Sequence, residues 1–110
     1  MNQPVNLENL RDITGGDTEI EKELFQVFLD SAQDCLTALA ASCTPDNAET
    51  WRKQSHAFKG ISYNLGAEAL GDICRTAQDS SSSDVNEKRV MLAALQHEFS
   101  RVQAYLRGLH

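Results

Sequence analysis

The stretch Trp51-Arg52-Lys53-Gln54-Ser55-His56-Ala57-Phe58-Lys59-Gly60-Ile61-Ser62-Tyr63-Asn64-Leu65-Gly66 decides how this 110-residue chain folds. Its large apolar residues recur at three- and four-residue steps, which predicts an amphipathic helix. Placed at about 100° per residue, Trp51, Ser55, Phe58, Ser62 and Leu65 gather on one face, with Ile61 at its flank. Lys59, Arg52, Tyr63, His56, Gly60 and Lys53 turn away from it. His56 falls about 140° from Trp51 and Gly60 about 180°, so the wheel puts the histidine on the solvent side between basic residues.

The same periodicity extends in both directions. Upstream, Leu7, Leu10 and Ile13 predict a short helix over 7–13, ended by Thr14-Gly15-Gly16. Thr18 and Glu21 have capping-box spacing, with Asp17 as the rival cap, and open a long helix over about 18–42. Its predicted core stripe is Ile20, Leu24, Val27, Phe28, Cys35 and Leu39, widened by Phe25, Leu29 and Leu36. Thr44-Pro45 reads as a cap followed by proline at the first helical position, giving a third helix over about 46–63 that Asn64-Leu65-Gly66 ends. A fourth helix over about 67–79 carries Leu70, Ile73, Cys74 and Ala77. After the serine run 80–83, Asp84 and Glu87 box a last helix over about 85–107 with Met91, Leu95, Phe99, Val102 and Leu106. No stretch alternates as a strand would. The expectation is an all-α, antiparallel four-helix bundle with a short additional N-terminal helix, forming a single domain over 1–110.

Composition sharpens the exclusions. Ten Lys and Arg against 16 Asp and Glu give a net charge of −6, which argues against nucleic acid as the main partner. The charge is uneven: residues 1–51 hold ten acids and only Arg11 and Lys22, a net −8, whereas residues 52–110 hold eight bases and six acids, a net +2. Arg52, Lys53 and Lys59 therefore stand out as a local basic cluster. No apolar run reaches the ~20 residues of a membrane helix. Cys35, Cys43 and Cys74 form no CxxC pair and fit a reducing cytoplasm. Met1 and the complete helix pattern suggest a freestanding protein.

An exposed histidine is ordinarily just that, but its neighbours are unusual. Glycine inside a helix costs about 1 kcal/mol relative to alanine, so Gly60, one turn after His56, calls for a reason. On the solvent face it clears the surface beside the ring for something outside the bundle. Lys59, three residues from His56, can reach a group attached to the imidazole. A neutral imidazole is nucleophilic near its pKa of about 6.5, and a phosphoryl group adds roughly two negative charges that Lys59 offsets, with Arg52 and Lys53 further off. Nucleophile, cation and cleared surface describe a phosphoacceptor. No Gly-rich phosphate loop or clustered carboxylate set accompanies it.

The run His56-Ala57-Phe58-Lys59-Gly60-Ile61-Ser62-Tyr63-Asn64-Leu65-Gly66-Ala67 resembles the signature of histidine-containing phosphotransfer (HPt) domains: His-x-x-Lys-Gly, a small residue, then Leu-Gly and the next helix. The resemblance covers most of the chain, including Gly15-Gly16-Asp17 and Phe28-Leu29. It implies that His56 takes a phosphoryl group from a receiver-domain aspartate and passes it to another receiver, with Lys59 as charge partner and Gly60 as clearance. It also implies that Gln78 orients the imidazole. Ile61 departs from the family, which often has a small residue there.

The partners expected are receiver domains of response regulators or a hybrid histidine kinase. No cofactor is expected on this chain, since Mg²⁺ would sit on the receiver, and a monomer is expected. Docking candidates are Tyr63, Ala57, Ser31 and Gln33. Three rivals remain: the phosphoacceptor domain of a chemotaxis-type histidine kinase, a silent scaffold that binds receivers, and a metal- or haem-binding bundle. The last finds no ligand spacing among His56, His97 and His110. His97 reads as a boundary residue and His110 as a terminal or tag residue.

Overall fold

The computed structural model describes residues 3–109; Met1 and His110, both used in the sequence reading, lie outside the described residues. The chain is all helical. Its elements are α1 (Glu8–Thr14), α2 (Thr18–Ala41), α3 (Ala48–Leu65), α4 (Glu68–Asp79) and α5 (Val85–Leu109). α3 packs between α2 and α4, α4 packs on α5, and α5 returns to α2, so four helices close a bundle while α1 leans on α2.

The helix ends follow local chemistry, with two departures from the expected caps. Asp17, not Thr18, caps α2: its carboxylate accepts from the backbone N–H of Glu19 at 3.0 Å and of Ile20 at 3.2 Å. Glu21 is thereby free of a capping role. It is buried and accepts from Arg11 Nε at 3.1 Å, tying α1 to α2. Thr44 does not cap α3. Its hydroxyl accepts from Asn47 Nδ2 at 2.7 Å, and the helix begins after Asn47, leaving Pro45 in the loop. At the other end Asn64 and Leu65 stay helical. Gly66 takes the left-handed conformation at φ 99°, and Ala67 N–H donates to the Ser62 carbonyl at 2.8 Å, closing the helix in the manner of a Schellman turn. Asp84 caps α5 as expected, accepting from Glu87 N–H at 2.9 Å.

The core is built around aromatic rings from three helices. Phe99 of α5 lies 6.3 Å from Phe28 of α2 and 6.4 Å, edge to face, from Phe58 of α3. Trp51, Leu39, Leu70, Cys74, Ala77, Leu95 and Val102 fill the remaining space and are wholly buried. Burial of such side chains is worth about 1.5–3 kcal/mol each. The expected stripe of α2 is corrected in its first half. The buried line there runs Glu21, Phe25, Phe28, Ala32, Cys35, Leu36 and Leu39, whereas Ile20, Leu24 and Val27 are exposed. Ile13 of α1 is exposed too. Lys88 is a buried cation, its ammonium 5.5 Å from the centre of the Trp51 ring.

Candidate functional site

α3 carries the candidate residues because its inner side is held and its outer side is open. On the inner side Trp51 Nε1–H donates to the Ala77 carbonyl at 2.8 Å, pinning α3 to α4. On the outer side His56, Ala57 and Gly60 are exposed. A Cβ built on Gly60 would meet nothing within 4 Å, so the missing side chain answers no packing demand inside the bundle.

Tyr63 sets the register between the two helices. Its ring lies against Gly71, where a Cβ would overlap the aromatic carbons. Because α3 and α4 run antiparallel, each turn back along α3 matches a turn forward along α4. Lys59 thus stands level with Arg75, and His56 level with Gln78. The sequence reading reached three of these four residues and missed Arg75, whose guanidinium lies 5.7 Å from the centre of the Tyr63 ring. Its signal was the four-residue step from Gly71, which means nothing until Gly71 is known to face Tyr63.

The other candidates separate into groups. Arg52 and Lys53 both reach Glu49, at 3.7 Å and 3.6 Å, so the basic cluster is partly neutralised one turn before His56. Lys59 is half-buried and forms no ion pair among the described residues. It lies close enough to Cys74 to act on the thiol electrostatically, but burial dominates there and pushes that thiol up to about 12. The Tyr63 hydroxyl donates to Asp72 Oδ1 at 2.6 Å, and this bond to a carboxylate raises the phenol further above its ordinary value. Tyr63 is therefore a fixed part of the α3–α4 seam. Gln78 is half-buried, and its Oε1 is buried without a hydrogen-bond partner among the described residues.

Ser31 and Gln33 lie on opposite flanks of α2. Gln33 lines a groove against α5 with Leu36, Thr37, Gln96 and Phe99. Ser31 is half-buried and, two residues before Gln33 on the helix, lies on the flank away from that groove. The exposed Ile20, Leu24 and Val27 share that flank, at steps of four and three residues, so an apolar strip runs along α2 away from the α5 groove. His97 is exposed. No helix among the described residues is long and apolar enough to cross a membrane.

The chain matches the family model of the Hpt domain over residues 23–105. No curated protein matches it. Among solved structures it is similar to the crystal structure of histidine-containing phosphotransfer protein B (HptB) from Pseudomonas aeruginosa PAO1. The two align with a TM-score of 0.85 and 20% sequence identity, over 98% of this chain and 95% of that one. At that identity the likeness speaks for the fold, a helical bundle, and the family rests on the domain match. The chain belongs to the Hpt domain family, the histidine phosphotransfer modules of two-component phosphorelays.

Proposed function

We propose that His56 is the phosphoacceptor of this domain, taking a phosphoryl group from a receiver aspartate and delivering it to a second receiver. The observation that carries this reading is the exposed imidazole beside a glycine whose Cβ would meet open space, on a helix otherwise packed on its inner side.

In the forward step one ring nitrogen of neutral His56 attacks the phosphorus of the aspartyl phosphate. The P–N bond forms, the P–O bond to the aspartate breaks, and the receiver carboxylate leaves with the electron pair. The second ring nitrogen keeps its proton and points it toward Gln78 Oε1 as a hydrogen-bond acceptor. Lys59 offsets the charge brought to His56. Arg52 and Lys53, held by Glu49, add a weaker field, and the receiver supplies Mg²⁺. Delivery to the next receiver is the same exchange in reverse.

The receiver docks over Ala57 and Gly60 and onto the strip of Ile20, Leu24, Val27 and Ser31 on α2. An exposed apolar strip of this kind marks an interaction surface more than a solvated face. Gln33 falls outside that footprint, on the α5 side. The protein acts as a cytoplasmic monomer, one domain over 1–110, in small and transient encounters.

The test is transfer from a phosphorylated receiver, or from a hybrid kinase with ATP. Acid-labile, alkali-stable label should enter the wild type and be lost in His56→Gln. Label that persists in His56→Gln, or no label in the wild type from any receiver of the host, overturns the assignment. The silent-scaffold reading predicts that second outcome.

A further inference from the structure

The cations around His56 differ in whether a carboxylate holds them. Arg52 and Lys53 reach Glu49, whereas Lys59 and Arg75 form no ion pair among the described residues. Lys59 is accounted for as the charge partner of His56. Arg75, exposed on α4, is not. Asp72 stands three residues before it, a spacing at which a helical carboxylate and guanidinium ordinarily pair. That pair is not made. Asp72 Oδ1 instead accepts the Tyr63 hydroxyl at 2.6 Å, and the Arg75 guanidinium lies 5.7 Å from the centre of the Tyr63 ring.

The Tyr63 ring is placed at a cost. Gly71 is buried inside α4, where glycine costs about 1 kcal/mol relative to alanine, and a Cβ there would overlap the ring carbons. The glycine is the notch that admits the ring. Tyr63 follows His56 by seven residues, about 20° round the helix, so the two share a face of α3 two turns apart. Helical side chains lean toward the N-terminus of their own helix. The Tyr63 ring therefore leans back toward His56, and Arg75, on the antiparallel α4, leans toward Tyr63. They meet about one turn from His56, at the level of Lys59. Lys59 in turn is close enough to Cys74, the residue before Arg75, to act on its thiol beneath the larger effect of burial.

We propose that Arg75 anchors a carboxylate of the docked receiver, and that the Tyr63–Asp72 bond keeps the guanidinium free for it. The inference rests on His56 as the acceptor and extends the docked footprint across His56 onto α4. Mg²⁺ is held by carboxylate and phosphate oxygens, so the mouth of a receiver's phosphorylation pocket is lined with acids. With His56 in line with the phosphorus, that mouth surrounds the imidazole, and Arg75 stands one turn away at its edge. A guanidinium suits the place because its planar fork takes a carboxylate while its face stays on the aromatic ring. Without the Tyr63 hydroxyl, Asp72 is released to pair with Arg75 and occupies the anchor from within the protein.

The experiment measures transfer from a phosphorylated receiver to wild type, Arg75→Ala, Tyr63→Phe, and Tyr63→Phe combined with Asp72→Asn. Phosphoramidate is the second donor, which needs no docking surface. Arg75→Ala should raise the receiver concentration for half-maximal transfer by about tenfold and flatten its dependence on salt. Its labelling by phosphoramidate should stay within about twofold of wild type. Tyr63→Phe keeps the ring but releases Asp72, so it should lose about three- to tenfold with Arg75 intact. Adding Asp72→Asn should restore the wild-type concentration. Equal losses from both donors in Arg75→Ala would put the guanidinium on the phosphoryl group itself and overturn the proposal. Wild-type behaviour of Arg75→Ala or of Tyr63→Phe would overturn it too, as would a Tyr63→Phe loss that Asp72→Asn leaves in place. Absence of label in the wild type from every donor would instead strike the acceptor assignment.

Discussion

Gly60 separates access from stability at the scale of a single residue. Its helical position costs about 1 kcal/mol against alanine, and a side chain there would meet no atom of this protein. Gly60→Leu should therefore raise the unfolding free energy by up to about 1 kcal/mol, measured by urea denaturation. The same variant should lose at least about tenfold in transfer from a phosphorylated receiver, or more than 1.4 kcal/mol of barrier, because the leucine stands where the partner approaches. Labelling by phosphoramidate, which needs little room, should stay within about twofold of wild type. A destabilised Gly60→Leu, or one that transfers normally from a receiver, would contradict this account. At this scale the sequence was a good guide. His56, Lys59 and Gly60 share one helix, and a single wheel orders them without knowledge of any neighbour.

Between elements the wheel is less informative, and α2 shows why. Ile20, Leu24 and Val27 compete with Phe25, Phe28 and Ala32 as an apolar line, and periodicity alone cannot choose between two overlapping stripes. Packing chooses: Phe28 has Phe99 opposite it, and the large rings take the interior. The same gap explains why Ser31 and Gln33 were grouped in the sequence although α2 sends them to opposite flanks. Arg75 and Gln78 likewise gain meaning only from the Tyr63–Gly71 contact between helices. If the displaced stripe is a docking strip, charge on it should weaken partner encounter and leave the bundle intact. Val27 is 62% exposed, so Val27→Asp should shift the melting temperature little while raising the receiver concentration needed for half-maximal transfer by about tenfold, or 1.4 kcal/mol. Gln33→Asp, on the α5 side, should leave that concentration unchanged. Equal effects from the two variants would remove the strip from the interface.

Over the whole molecule, the acids of the first half and the bases of the second remain as the sequence has them, but their work is more local than the net charge suggests. Arg11 neutralises Glu21, Arg101 bonds Glu98 at 2.8 Å, and Glu49 holds Arg52 and Lys53, two of the three bases around His56. Global stability should respond instead to alkaline pH through the buried thiol. Cys74 has an ordinary thiol value of 9.0 and is raised to about 12 in the folded state by burial. The folded protein therefore holds that proton where the unfolded chain has lost it. Its stabilising effect is complete below pH 9 and is lost as pH rises from there toward 12. Cys74→Ala should show a shallower alkaline decline than wild type in urea denaturation series, although it is less stable at neutral pH. Parallel declines would mean that the thiol is not the titrating group.

Trp51 turns the fold into its own instrument. It is the single tryptophan of the chain, wholly buried, with its indole N–H on the Ala77 carbonyl and the Lys88 ammonium over its ring. Its emission should be blue-shifted in the native protein and should report the α3–α4 seam at one spot, one turn from Ser55. Light absorbed there gives an unlabelled optical signal in which loosening of the seam by phosphorylation or docking can be followed in real time.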